Sequence, residues 1–325
     1  MRASVLRIGP RASRDVADYR AVMRRHPPVR DYIRRREWVR RGGVVAYGPR
    51  LEAGVFSTDA FGQRHTVWRG RRLGLSHAMS GEPYGVVLGA SHAFGFGLPG
   101  DEATIASRLS ERLGEAHVTI AFPEADMRDL ETALRRVLRE APRPPSRIVL
   151  FAGGTLTRYA YVRRCDPLFG IPDFEGRDGP GPIEPGTQAE AAQFASLLRC
   201  FAFWLSAMTD EARRAGSTLL LQEETTALEK RTLTETERAC RLGEAHSESA
   251  RGRFETQRLR HAAFHAAGTD AARRLALVPA RPTDPDTLTF IDEFHYDVAG
   301  TERLVEAVER HAAAAEQGVE AKERA

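Results

Sequence analysis

Short apolar runs alternate along the chain with longer segments in which apolar residues recur every three or four positions. The first pattern is typical of buried strands, and the second of helices that cover a sheet. Strands are predicted at residues 86–89, 117–122, 147–152, 217–222 and 274–278. Helices are predicted at residues 101–113, 126–140, 187–215, 233–267 and 298–315. Strands separated by helices indicate a parallel sheet with right-handed crossovers.

The chain before residue 85 has a different pattern. A helix is predicted at 13–25, and short β-like runs separated by glycines follow at residues 44–47, 54–56 and 65–68. We therefore expect an N-terminal helix and a small β-rich lead-in over 1–84. The α/β domain is expected over 85–315, followed by a disordered tail over 316–325.

One predicted strand ends in a sharp turn that carries a serine. The apolar run at 86–88 leads into Gly89, Ala90 and Ser91, and a helix follows. Ser91 is therefore expected at the carboxyl edge of the sheet, where open α/β sheets bind their ligands. Its own N–H lies near a helix start, where positive partial charge stabilises an oxyanion. The alternative interpretation is that Ser91 only caps the helix.

The loop before the last helix carries an acid and a base. Asp292 precedes His295 by three residues, so both side chains can reach the same edge of the sheet. A nucleophilic serine needs a base for its proton and an acid that fixes the imidazole tautomer. Asp292 and His295 can supply both functions to Ser91.

Composition limits the classes of protein that remain. The chain has 325 residues, of which 42% are hydrophobic and 28% charged, enough for one large or two modest domains with a core. Its three cysteines, Cys165, Cys200 and Cys240, are far apart, which argues against a disulfide scaffold or a structural zinc site. The first residues contain no signal-peptide core, and no run approaches the roughly 18 apolar residues of a membrane span. We expect a cytoplasmic protein.

Positive charge comes almost wholly from arginine, since lysine occurs only at positions 230 and 322. The net charge of +4 is first a compositional bias. Eight arginines lie between residues 24 and 41, together with Tyr32 and Trp38. They can form a surface for an anionic partner, or a solvated helix whose arginine stems cover apolar surface. We favour the solvated helix and expect no nucleic-acid partner.

The two ends of the predicted α/β domain resemble a known family, the SGNH (GDSL-type) hydrolases. Their nucleophile lies in a Gly-Asp-Ser block after the first strand, and residues 89–97 read Gly-Ala-Ser-His-Ala-Phe-Gly-Phe-Gly. Their acid and base lie in an Asp-x-x-His block before the last helix, here residues 292–295. A lead-in segment of some bacterial members is similar to residues 57–64. The resemblance implies a three-layer α/β/α, flavodoxin-like fold with a parallel five-stranded sheet.

The resemblance also assigns an oxyanion site, at blocks that differ here from the family pattern. A glycine amide is usual after the second strand, where this chain has Phe122 and then proline. The third block usually reads Gly-x-Asn-Asp, and here Gly154 and Thr155 follow a first glycine. The implied donors are the amides of Ser91 and Phe122 and the Thr155 hydroxyl. His92, next to the nucleophile, is expected to line the pocket.

The function implied is that of a serine esterase that cleaves an acyl ester through an acyl-enzyme, without cofactor or metal. His261 and His265 have a helical spacing that can bind a metal, but no third ligand stands out. The substrate expected is a small-molecule or glycan acyl ester, with no membrane partner. Two alternatives stay open: an acyltransferase acting on a glycan or small metabolite, and a binding protein that kept the fold and lost turnover. A nucleic-acid binder ranks below both.

Overall fold

The computed structural model describes residues 20–34, 38–41, 44–122, 125–152, 187–242, 269–275, 277, 284–292 and 294–323. In chain order its strands are β1 (Trp38–Arg41), β2 (Val44–Tyr47), β3 (Thr66–Trp68), β4 (Arg71–Leu73), β5 (Gly85–Gly89), β6 (His117–Ala121), β7 (Arg147–Ala152) and β8 (Thr218–Glu223). Its helices are α1 (Arg20–Arg25), α2 (Pro28–Arg34), α3 (Leu75–Ala78), α4 (Ser91–Phe94), α5 (Ile105–Leu113), α6 (Met127–Glu140), α7 (Gln188–Ala215), α8 (Glu235–Leu242) and α9 (Val298–Glu323).

Four parallel strands form the central sheet in the order β6-β5-β7-β8, with helices on both faces. Successive residues of a strand point to opposite faces, so each strand contributes to two cores. In β5, Val87 joins the core under α5 and α9, whereas Val86 and Leu88 join the core under α6 and α7. This alternation explains why the strands read as unbroken apolar runs, and it confirms the three-layer α/β prediction.

Four of the predicted strands are present within a residue of their expected bounds. The fifth prediction, at 274–278, is wrong for the residues that the structure describes there. Arg274 ends a helical stretch at 269–274, and the N–H of Leu275 donates to the carbonyls of Ala271 and Ala272. A short apolar run at a helix end cannot be told from a buried strand by its period alone. The described sheet therefore has four strands rather than five.

Two helix boundaries also differ from the sequence pattern. The predicted helix at 101–113 begins with a 3₁₀ turn, and α5 itself starts after Thr104, whose hydroxyl accepts the Ser107 N–H. The helix ends at Gly114, as predicted, with a φ of 67°. Helix α9 continues to Glu323, through most of the segment predicted as a disordered tail. Alanine and glutamate, which make up half of that segment, are strong helix formers.

The lead-in packs into the core of the α/β part. It contains two antiparallel hairpins, β1–β2 and β3–β4. Residues 54–56, predicted as β-like, form a bend inside the isolated bridge between Glu52 and Ser57, and Gly54 in this bend has a φ of +80°. In the arginine-rich segment, Val29 and Tyr32 of α2 are fully buried, while Arg30 and Arg34 are exposed. The solvated helix is therefore the better description of α2.

Candidate active site

Ser91 is the first residue of helix α4, directly after strand β5. Ala90 occupies the N-cap position, so the serine side chain does not cap the helix. The turn is tight: a Cβ at Gly89 would lie 2.7 Å from the Ala93 Cβ and 3.1 Å from the Phe151 Cβ. Glycine is therefore required at this position, and the turn presents Ser91 at the carboxyl edge of the sheet.

Three side chains predicted from the sequence meet at this edge. The Ser91 Oγ lies 2.7 Å from the His295 Nε2, and the His295 Nδ1 lies 2.7 Å from the Asp292 Oδ2. Ser91 and His295 are 204 positions apart in the chain. The order serine–imidazole–carboxylate is the arrangement that activates a hydroxyl nucleophile.

Asp292 is held in its ionised form by its own loop. Its Oδ1 accepts the N–H groups of Phe294 and His295, each at 2.9 Å. Burial acts to raise the pKa of Asp292, but the charge and hydrogen bond of His295 and these two amides lower the pKa to about 2. Asp292 is therefore ionised at neutral pH, where its carboxylate can orient the imidazole and stabilise a positive charge on it.

The loop that carries Asp292 and His295 is closed by backbone bonds. Phe290 and Tyr296 form an antiparallel bridge, and the Ile291 N–H donates to the His295 carbonyl at 2.7 Å. The face of the imidazole packs against the Phe96 ring, with the centroids 4.5 Å apart. His295 is 5% exposed, so its position is set by packing as well as by hydrogen bonds.

The turn that carries Ser91 is held in place by Arg64, a lead-in residue whose role the sequence did not reveal. Its Nη1 donates to the carbonyls of Gly95 at 2.6 Å and Phe94 at 3.3 Å, where helix α4 ends. Its Nη2 donates to the Val55 carbonyl at 3.0 Å. Carbonyls at a helix end have no partner within the helix, and a cation satisfies them well.

The charge of Arg64 is balanced inside the protein. Its Nε lies 2.8 Å from the Asp101 Oδ1, and neither side chain is more than 6% exposed. Asp101 also accepts the hydroxyl of Ser57 at 2.5 Å. The Tyr32 hydroxyl bonds to Arg64 and to the carbonyls of Gly95 and Leu98. The lead-in therefore fixes the backbone immediately after Ser91.

His92, expected to line the pocket, lies at the carboxyl edge next to Ser91 and is 4% exposed. Its Nε2 is 2.6 Å from the Oε1 of Glu224, which is also buried. Glu224 was missed from the sequence, although an acidic residue just after the apolar strand β8 was a usable signal. The edge therefore holds a second carboxylate–imidazole pair.

Of the expected oxyanion donors, the structure describes Ser91 and Phe122 but not Thr155. The Ser91 N–H lies in the first turn of α4, where helical N–H groups have no intrahelical acceptor. The Phe122 N–H instead donates to the Gly89 carbonyl at 3.3 Å, so it extends the β5–β6 pairing. Gly154 and Thr155 lie outside the described residues, as do His261 and His265.

In the part of the chain that the structure describes, no three His, Cys, Asp or Glu side chains come together as a metal site requires. None of its helices has the length and apolarity needed to cross a membrane.

No protein-family model matches the sequence, and neither does any curated protein. The fold is similar to that of several solved structures. A lipolytic protein of the G-D-S-L family from Desulfitobacterium hafniense aligns with 71% of this chain and 99% of its own, at 14% identity and a TM-score of 0.44. Phospholipase A1 from Streptomyces albidoflavus aligns with 70% of this chain and 99% of its own, at 11% identity and a TM-score of 0.45. An extracellular lipase from Streptomyces rimosus aligns with 71% and 100%, at 10% identity and a TM-score of 0.44.

Proposed function

We propose that the protein is a serine ester hydrolase of the SGNH type that works through an acyl-enzyme. The observation that carries this proposal is the hydrogen-bonded series Ser91–His295–Asp292, assembled at the carboxyl edge of the sheet. The sequence blocks around these residues resemble the same family. The tight Gly89 turn and the nearly complete burial of His295 favour a preorganised site over a chance contact.

The reaction follows from the positions of the three side chains. His295 Nε2 takes the proton of Ser91 Oγ as the oxygen attacks the acyl carbon of the ester. Asp292 keeps the imidazole in the correct tautomer and stabilises the imidazolium. The proton then passes from His295 to the leaving alcohol, which leaves an acyl-Ser91 intermediate. A water molecule, deprotonated by His295, attacks that intermediate, the bond between the acyl carbon and Ser91 Oγ breaks, and His295 returns the proton to Ser91 Oγ as the acid leaves.

The developing oxyanion needs donors near the nucleophile. We assign one to the Ser91 N–H, which lies at the start of α4. Thr155 remains our second donor, on the strength of the resemblance in its block, and Gly154 precedes it in the sequence of that block. The Phe122 N–H is a weaker choice, because it is engaged with the Gly89 carbonyl. A simple acyl ester of a small molecule or a glycan is the substrate class we propose.

A fluorophosphonate probe tests the proposal directly, because it forms a bond only with an activated serine. We expect labelling of the peptide that contains Ser91, and turnover of p-nitrophenyl acetate. Ser91→Ala should abolish both with little change in Tm. Ser80→Ala is the matched control, since Ser80 lies in the turn after α3 and bonds to the His77 carbonyl. Equal labelling of the wild type and Ser91→Ala would exclude the proposed function.

A further inference from the structure

A second buried ion pair lies beneath the loop that carries Asp292 and His295. Lys230 Nζ is 2.7 Å from Glu237 Oε1 and 2.9 Å from Oε2, and the two side chains are 1% and 3% exposed. Lys230 is one of only two lysines in the chain, where arginine supplies nearly all other positive charge. Buried ion pairs add little net stability, because desolvation offsets their attraction. The pair therefore calls for an explanation other than stability.

Both members of the pair also hold the backbone that leads into the catalytic loop. Lys230 Nζ donates to the Leu288 carbonyl at 2.6 Å, and Glu237 Oε1 accepts the Phe290 N–H at 3.2 Å. Phe290 forms an isolated bridge with Tyr296 across the loop, so the two contacts fix the backbone segment that leads to Asp292. Phe290 and Leu288 are fully buried, where an unsatisfied backbone group is costly.

Lysine fits this position for a geometric reason. The compact ammonium lies within hydrogen-bond distance of three acceptors, both Glu237 oxygens and the Leu288 carbonyl. A guanidinium is larger, and its wide planar fork suits separated acceptors better than this small buried cage. Glu237 is fixed in turn, because its Oε2 accepts the Thr234 N–H at 2.6 Å at the start of α8.

We propose that the Lys230–Glu237 pair is a positioning device for His295, acting through the backbone at Leu288 and Phe290. This inference rests on the proposed function. The pair holds the base of the catalytic loop, and the loop holds the His295 Nε2 within hydrogen-bond distance of Ser91. A shift of about 1 Å in a catalytic group can lower a rate roughly 100-fold, so a small loosening of this loop is measurable.

The test replaces the pair without leaving an unpaired charge. The double variant Lys230→Met, Glu237→Leu fills the same space with apolar groups and removes the side-chain partners of the Leu288 carbonyl and the Phe290 N–H. We expect a fall in kcat of roughly 10- to 100-fold with KM nearly unchanged. We also expect faster amide hydrogen exchange across residues 288–297, and unchanged exchange in strand β5. Wild-type kcat and exchange in this variant would overturn the inference.

Two further variants separate positioning from stability. Leu134→Ala removes a fully buried side chain of the opposite core and should lower Tm without changing kcat or loop exchange. If Leu134→Ala lowered Tm by as much as the double variant does and also lowered kcat equally, the inference would be overturned as well. If the double variant does not fold, Glu237→Gln keeps the shape and removes the charge, and the loop should again exchange faster than in the wild type. Wild-type exchange in Glu237→Gln would count against the inference in the same way.

Failure of the proposed function would look different from failure of this inference. Absence of turnover and probe labelling in the wild-type protein would refute the function. The hydrogen-exchange measurement does not depend on activity, so it decides whether the pair holds the loop in either case.

Discussion

The two segments that we propose as catalytic, the nucleophile turn at Ser91 and the acid–base loop that carries Asp292 and His295, are both held by a buried cation, but in different ways. Arg64 spreads its donors over an acid, a tyrosine and three backbone carbonyls beneath the nucleophile turn. Lys230 concentrates its donors on one carboxylate and one carbonyl beneath the acid–base loop. The planar fork suits several separated acceptors, whereas the compact ammonium suits a single small cage.

The segments also differ in how much of their geometry is local. Asp292 makes all its described bonds to residues two or three positions away, so the acid–base pair is largely built by its own loop. The turn after Ser91 depends on Arg64 and Tyr32, which lie 31 and 63 positions before Gly95. We infer that the acid–base loop forms from its own local bonds and has only to be positioned against the rest of the protein. The nucleophile turn, in contrast, needs contacts from the lead-in in order to form.

The largest expected effect is the fall in kcat when the two proposed catalytic residues of the acid–base loop, His295 and Asp292, are substituted. His295→Ala removes the general base and should lower kcat on the order of 10⁶-fold. Asp292→Asn keeps the ring nearly in place but favours the wrong tautomer, and should cost roughly 10⁴-fold. Steady-state kinetics with p-nitrophenyl acetate measure both. If Asp292→Asn cost as much as His295→Ala, the carboxylate would be doing more than orienting the imidazole.

The next largest effect concerns the clamp under the nucleophile turn. Arg64→Met leaves Asp101 buried without its cation, and such a change costs about 3–5 kcal/mol of unfolding free energy. Arg64→Lys should be only a partial rescue, because one ammonium cannot span the same acceptors. Urea unfolding measures both variants.

A surface arginine supplies the control for that experiment. Arg72 lies 3.1 Å from Glu52, with 56% and 66% of the two side chains exposed. An exposed pair is worth about 0–1 kcal/mol, so Arg72→Met should unfold almost as the wild type does. A loss in Arg64→Met no larger than that in Arg72→Met would show that the clamp contributes little, and the contrast between the two segments would fail.

The elements that sequence reasoning found are those whose signals lie close together in the chain. The turn at Gly89 and Ser91 and the spacing of Asp292 and His295 are local patterns, and the sheet edge brings them together. The buried role of Arg64 was not readable, because its partners come from residues 32, 55, 94, 95 and 101, and only the folded core makes them neighbours. The lysine at 230 was noticed for its rarity, but the carboxylate beside it belongs to the next helix.

Errors at element boundaries have a similar cause. The apolar residues at 275 and 277 do contact the core, as the pattern requires, but from the end of a helical stretch. Asp101 is the first residue of the helix predicted at 101–113, and aspartate is a preferred N-cap residue, yet its carboxylate binds Arg64 and Ser57 instead. The buried Arg64 needs a carboxylate partner, and this pairing outweighs the local capping preference of Asp101. Thr104 caps the helix instead.

The smallest expected effect is the pH dependence of the stability that Asp292 contributes within the acid–base loop. The pKa of Asp292 lies at about 2 in the folded protein, against an ordinary value of 3.8. An acid with a lowered folded pKa adds stability that is complete above the unfolded pKa and is lost as the pH falls through the folded one. Asp292 should therefore contribute on the order of 2 kcal/mol above pH 4, and this should vanish towards pH 2.

Asp292→Asn provides the reference for that experiment, because the amide does not titrate. Unfolding free energies of the two proteins, measured in urea from pH 5 to pH 2, should converge as the pH falls. The bonds that lower this pKa all come from within residues 292–295, so the convergence should persist in the Lys230→Met, Glu237→Leu background. If replacing the buried ion pair removed the convergence, the acid–base loop would not be locally built, and the distinction between the two catalytic segments would be lost.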